Sequence, residues 1–159
     1  MPNWVRSKIT GLSLEQIEPY KSVSRRGNEF LDFNKIMPEP KNCNWYPWRI
    51  NHWDTKWNSY DCDFFSSEIY ISTAWTCPYN IFRKLSKLLN TSFEVVYADE
   101  DCGYNTGSFT VDNGIILDEY NPEGESKEAY ELYNEAWCED YPIIQDEDGN
   151  WKLDWGDNE

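Results

Sequence analysis

Histidine occurs once in the 159 residues, at His52, and positive charge almost vanishes after residue 90. Residues 91–159 hold only Lys127 and Lys152 against twenty Asp and Glu, a net of −18. Residues 1–90 carry twelve Lys and Arg against nine acids, a net of +3. No apolar run approaches the length of a membrane span. Met1-Pro2-Asn3-Trp4-Val5-Arg6 has no apolar h-region, so no signal peptide is read there and a cytoplasmic protein is expected. The five cysteines, at 43, 62, 77, 102 and 138, form no CxxC pair. Their odd number and wide spacing argue against a zinc ribbon or thioredoxin-like site and predict free thiols in a reducing compartment. GxSxG, HExxH, P-loop and dinucleotide fingerprints are all missing, which removes the motif-bearing enzyme classes.

Aromatic residues are abundant instead: nine Trp, eleven Tyr and seven Phe. Disordered acidic chains are poor in aromatics, so this chain is expected to fold despite its charge. The length suits one domain, with residues 1–110 as a core and residues 111–159 as an acidic C-terminal extension packed on it.

Trp4, Arg6 and Lys8 alternate with Val5 and Ile9, which predicts a strand over residues 3–9. Ser13-Leu14-Glu15-Gln16 is a capping-box pattern and opens a short helix. Residues 29–33 read as a second strand. Residues 34–57, rich in Pro and Trp, fit neither period and read as an ordered loop with one helical turn. A strand follows at 69–74. Pro78 opens a helix whose apolar stripe is Ile81, Phe82, Leu85, Leu88 and Leu89. Residues 93–97 form a strand, and Asp112-Asn113-Gly114 is a hairpin turn between 108–111 and 115–117. Ser126 starts a last helix with Ala129, Leu132, Tyr133, Ala136 and Trp137 on its apolar side, and a hairpin turns at Asp148-Gly149. The order predicts an α+β fold, with helices on one face of a mainly antiparallel sheet, plus a C-terminal hairpin and acidic helix.

Four fragments, in this order, carry a family resemblance: Met1-Pro2-Asn3-Trp4, Phe33-Asn34-Lys35-Ile36-Met37-Pro38, Trp53-Asp54-Thr55-Lys56-Trp57-Asn58 and Thr73-Ala74-Trp75-Thr76-Cys77-Pro78. Over roughly residues 1–110 the chain resembles the YubB-type ferredoxin-like family of phages and plasmids. Asp54 departs from the glycine usual in that family, and Thr76-Cys77-Pro78 replaces a Ser-Pro-Pro-like run. The resemblance implies a ferredoxin-like split βαβ fold and a mobile-element origin. It implies no activity.

His52 and Cys77 are the residues an enzyme could use, as base and as thiolate near a helix N-terminus, but neither has an evident partner in the sequence. The chain therefore reads as no enzyme and as needing no cofactor. Asp99-Glu100-Asp101 and Asp146-Glu147-Asp148-Gly149-Asn150 offer hard oxygen ligands, but Gly149 is misplaced for a calcium loop, so no metal site is expected.

The dense anionic surface points to a basic partner. Glu128, Glu131, Glu135 and Glu139 share one quadrant of the last helix, and Asp99, Glu100, Asp101, Asp118, Glu119, Glu123, Glu125 and Asp140 would extend it. That set predicts a phage- or plasmid-encoded inhibitor of the anti-CRISPR or antirestriction type. It would bind a host nucleic-acid-handling defence complex by occupying a basic groove in place of nucleic acid. A solubilising surface accounts for the same residues. The net charge of −15 disfavours direct nucleic-acid binding. The alternative function is a small-ligand module that sequesters a nucleotide signal through Arg49, Trp53, Lys56, Trp57 and Trp75, with Arg25 and Arg26 nearby. Against it, the same tryptophans can serve only to pin the long loop onto the sheet.

Overall fold

A computed structural model describes residues 2–156. Strand β1 (Trp4–Thr10) turns Val5 and Ile9 into the core and Arg6 and Lys8 to the other side, as its alternation predicts. Helix α1 (Leu14–Ile17) is opened by the capping box: Ser13 Oγ accepts the Gln16 N–H at 3.1 Å, and the Gln16 side chain accepts the Ser13 N–H at 2.9 Å. Strands β2 (Lys21–Val23) and β3 (Glu29–Leu31) pair only with each other, in a small ribbon. Next come α2 (Phe33–Ile36), α3 (Trp45–Trp53), β4 (Tyr60–Phe64), β5 (Glu68–Ala74), α4 (Tyr79–Leu89) and β6 (Phe93–Asp99). The hairpin β7 (Gly107–Asp112) and β8 (Ile115–Tyr120), helix α5 (Lys127–Ala136) and the hairpin β9 (Ile143–Gln145) and β10 (Trp151–Leu153) complete the order.

The main sheet has the order β4-β5-β1-β6-β7-β8 and is antiparallel at every pairing. Strands β5 and β6, joined by α4, lie on either side of β1, which is the split βαβ arrangement of a ferredoxin-like domain. The fold is α+β with a mainly antiparallel sheet, and β7–β8 extend the ferredoxin-like core by two strands.

Two expectations need correction. The strand read at 29–33 is part of the ribbon, and the second core strand is β4. Its Tyr60, Cys62 and Phe64 alternate with Asp61 and Asp63, a period-2 pattern visible in the sequence. The segment read as a loop over 34–57 contains the nine-residue α3. Pro47 lies in its first turn, where no intrahelical N–H is required, so it does not break the helix.

The core lies between the sheet and helices α1–α4. Val5, Ile9, Ile69, Ile71, Phe93, Val95 and Phe109 from the strands meet Ile17, Phe33, Trp53, Ile81, Phe82 and Leu85 from the helices. Each such side chain contributes about 1.5–3 kcal/mol when fully buried. Leu88, expected on the apolar stripe of α4, is exposed. Helix α5 takes the opposite face, where Ala129, Tyr130, Tyr133 and Ala136 pack with Ala98, Val96 and Leu153. The buried Tyr130 joins the expected stripe, while Leu132 is only half-buried.

Both edges of the sheet are built alike. Each has a bulge and an aspartate at positive φ, Asp61 (49°) on β4 and Asp118 (51°) on β8. A bulged, charged edge resists pairing with another chain.

Candidate functional site

Helix α5 is N-capped by Ser126, whose Oγ accepts the Ala129 N–H at 3.1 Å. With its aromatic side on the sheet, α5 exposes Glu128, Glu131 and Glu135. The helix ends at Ala136 and Cys138 takes φ +54°, so Glu139 and Asp140 are exposed beyond the helix and not on its face. Glu135 is an acceptor for Lys8 Nζ at 3.3 Å. Among the described residues, no other member of the predicted anionic set is in an ion pair.

At one end of the sheet the segment after β6 meets the segment before α5: Glu125 donates its N–H to Gly103 O at 2.8 Å. Glu100, Asp101, Glu123 and Glu125 are exposed in these two segments. Tyr104 is exposed in the same region, and interaction with Glu125 raises its hydroxyl above the ordinary value. Asp99 does not join the surface. It is buried and accepts from Asn3 Nδ2 (3.1 Å), the Asp101 N–H (2.8 Å) and Asn105 Nδ2 (3.1 Å). Asp118 and Glu119 are consecutive at the bulge of the edge strand β8. Asp118 lines a hollow with Glu94, Ser108 and Thr110, whereas the hydroxyls of Tyr79 and Tyr97, raised first by burial, are raised further by the charge of Glu119.

The tryptophan loop forms two clusters. In the first, Trp53 is fully buried, donates Nε1–H to Met37 O at 2.9 Å and packs edge-on against Phe33 and Trp48. Arg49 is held by Glu39, donates to Lys56 O and lies over the rings of Trp45 and Trp53. In the second, the Lys56 ammonium is 4.4 Å from the Trp57 ring and 4.2 Å from the Trp75 ring. Trp53 therefore cannot face a ligand, and Arg49 and Lys56 already have partners. The architectural role weighed for these residues accounts for their contacts.

Asp54, the departure from the family glycine, has φ +69°, a backbone shape that favours glycine. The aspartate has a use of its own there. Its Oδ2 accepts the Asn80 N–H at 2.7 Å in the first turn of α4, whose own N-cap, Pro78, offers no side-chain acceptor. Burial raises the Asp54 carboxyl above its ordinary value, against the opposing effects of that hydrogen bond and of Arg83.

The groups considered for catalysis are engaged structurally. His52 stacks on Trp48 at 4.3 Å, and its Nδ1 is 2.7 Å from Trp48 O, which assigns the proton to that nitrogen. Cys77 is buried beside Ser7 Oγ, and burial pushes its thiol far above the ordinary range. Cys102 is pushed up to about 11 by burial and then by Asp101. Among the described residues no three metal-ligating side chains converge. Asp146 Oδ1 accepts the N–H groups of Asp148 and Asn150, both at 2.9 Å, and so builds a hairpin tip.

Sequence reasoning missed a third aromatic group. Pro2, Trp4, Glu100, Tyr133 and Trp137 line an open cavity of about 600 Å³. The Tyr133 and Trp137 rings stack at 5.8 Å with 21° between their planes, and Trp137 Nε1–H is fixed on Ala98 O at 3.0 Å. Trp4 and Trp137 lie too far apart in the chain for any local pattern to have joined them. No described helix is long and apolar enough to cross a membrane.

Comparison with known proteins gives a family and no activity. A family model described as the ferredoxin-like domain in Api92-like protein matches residues 52–142, from the end of α3 past α5, without β1. No curated protein matches. Among solved structures, the protein api92 from Yersinia pseudotuberculosis is similar at 13% identity and a TM-score of 0.48. That match covers 60% of this chain and 41% of the other, so the chain spans less than half of that protein.

Proposed function

The chain belongs to the family of ferredoxin-like domains of Api92-like proteins, a fold without fixed chemistry, and we propose that this member acts through its anionic surface. It is a non-enzymatic inhibitor, carried by a phage or plasmid as the YubB-like fragments imply. In the host cytoplasm it occupies the basic groove of a nucleic-acid-handling defence complex of the kind that anti-CRISPR and antirestriction proteins block.

One observation carries this reading. Of the predicted anionic residues, only Glu135 is ion-paired among the described residues. By contrast, six of the nine acids in residues 1–90 are paired, namely Glu18, Glu29, Glu39, Asp61, Asp63 and Glu68. An anionic surface left unneutralised by its own chain releases counterions from a basic groove much as nucleic acid does. Two of the carboxylates also have local uses. Glu128 stands in the first turn of α5, where it complements the helix dipole, and Asp118 guards an edge strand.

The test is capture from host lysate by the tagged chain, with salt elution and competition by duplex DNA. The E128K/E131K double variant should lose the captured complex while remaining folded, with a melting temperature a few degrees below the parent because Glu128 no longer complements the α5 dipole. Capture that survives both charge reversal and DNA competition would refute the proposal.

A further inference from the structure

We infer that the cavity between Trp4, Tyr133 and Trp137 is a socket for an arginine side chain presented by a basic protein partner, with Glu100 as its counter-ion. This rests on the anionic-surface reading and gives that surface a specific anchor.

The first ground is what five of the other seven tryptophans do, Trp48 stacking on His52 and Trp155 meeting Tyr133 and Tyr141 instead. Trp45 and Trp53 carry Arg49, Trp57 and Trp75 carry Lys56, and Trp151 carries Lys127. Among the described residues, no cation lies over Trp4, Tyr133 or Trp137. These rings line an open hollow and have a carboxylate among them. Aromatic faces attract cations, more strongly where water is partly excluded.

The second ground is the field. Glu100 Oε1 accepts the Trp4 N–H at 2.9 Å, which fixes the carboxylate at the cavity and leaves Oε2 without a partner among the described residues. The Tyr133 hydroxyl is pushed up to about 12, first by burial and then by surrounding groups that include Glu139 and Glu100. Burial and then Glu100 likewise raise the Tyr60 hydroxyl, whose ring meets Trp4 edge-on at 5.0 Å. Burial disfavours a charge of either sign, and it is the fixed Glu100 carboxylate that makes a cation the favoured one.

The third ground is shape. A guanidinium is planar, so it can lie flat on the cavity-facing side of an aromatic ring such as Trp137, which Tyr133 backs from its other side, and still direct its edge N–H groups at Glu100. An ammonium stacks less well and is more strongly hydrated. A free arginine brings a hydrated α-carboxylate and α-ammonium along with its guanidinium. An arginine within a polypeptide has neither group to keep hydrated, which favours a protein as the source.

The test follows the indole N–H resonances of the ¹⁵N-labelled full chain during titration with N-acetyl-argininamide, free arginine and N-acetyl-lysinamide. Saturable shifts at Trp4 and Trp137, with free arginine and the lysine amide weaker, are expected. E100Q keeps an acceptor for the Trp4 N–H and should bind roughly tenfold more weakly, the loss expected for one charge-assisted hydrogen bond. W4L is a second variant that removes a ring without touching Glu100, and it should abolish the Trp137 shift. Unsaturable shifts, equal shifts at Trp45 and Trp151, or unchanged affinity in E100Q would overturn the socket. Equal binding of the lysine amide would overturn the guanidinium assignment. The E128K/E131K variant should bind the arginine amide within twofold of the parent. If this variant loses the captured complex but the parent never binds the amide, the socket falls alone. If the amide binds and charge reversal leaves capture intact, the surface reading falls alone.

Discussion

Around the long loop, Arg49 and Lys56 lie on tryptophan rings and Glu39 closes on Arg49, so cation, ring and anion are all supplied from within residues 39–75. On the α5 side, three rings and Glu100 line a cavity with no cation over them among the described residues, and the surrounding described carboxylates are almost all unpaired. Aromatic and charged residues build both regions. In the first, the complementary charges are internal and the cluster is part of the fold. In the second, no positive member is present among the described residues, as expected of a surface whose partner comes from outside.

The largest effect should come from removing the internal region's anchor. Trp53 has no exposed surface and packs on Phe33 and Trp48. Trp53→Ala should cost about 3–5 kcal/mol in denaturant unfolding, the range for a large core ring. A loss below about 1 kcal/mol, outside that range, would mean that the loop cluster does not support the fold. Lys56→Gln, between Trp57 and Trp75, removes two partly exposed cation–π contacts and should cost about 1–2 kcal/mol. The same unfolding experiment reads it, and a neutral result would show that the chain's own cation contributes nothing there.

The contrast between the regions was only partly legible in sequence. The charge split was plain, as were the alternation in β1, the 3.6 period of α4 and the Asp112-Asn113-Gly114 turn, because each is a local signal in consecutive residues. Helix α3 was missed because Pro47 and the crowded aromatics hide its period, although a proline in the first turn is tolerated. Strand β4 was missed because its alternate residues are acidic, which suits an edge strand but weakens the hydrophobic signal. Positive φ at Asp54 explains the glycine usual in the resembling family, but the cap it gives α4 joins residues 54 and 80 through tertiary structure alone. Of the carboxylates singled out, all but Asp99 are exposed. Burial of Asp99 and the placement of Asp118 and Glu119 at a bulge needed the register of the strands. The Trp4 cavity needed the choice of sheet face for α5, which amphipathicity does not decide.

The smallest effect should separate the one neutralised carboxylate from its neighbours. Glu135 meets Lys8, which also approaches Glu68 at 3.8 Å. Lys8 therefore keeps an anionic neighbour in Glu135→Gln, and the Lys8–Glu135 pair is partly solvated. The substitution should cost less than about 1 kcal/mol. Because Lys8 already offsets this charge, the variant should also retain the captured complex through the same salt wash as the parent, unlike the reversal at Glu128 and Glu131. If Glu135→Gln instead weakens capture as much as that reversal does, the ion pair opens on binding. The division between internally paired and externally directed charge would then fail at the one residue that touches both.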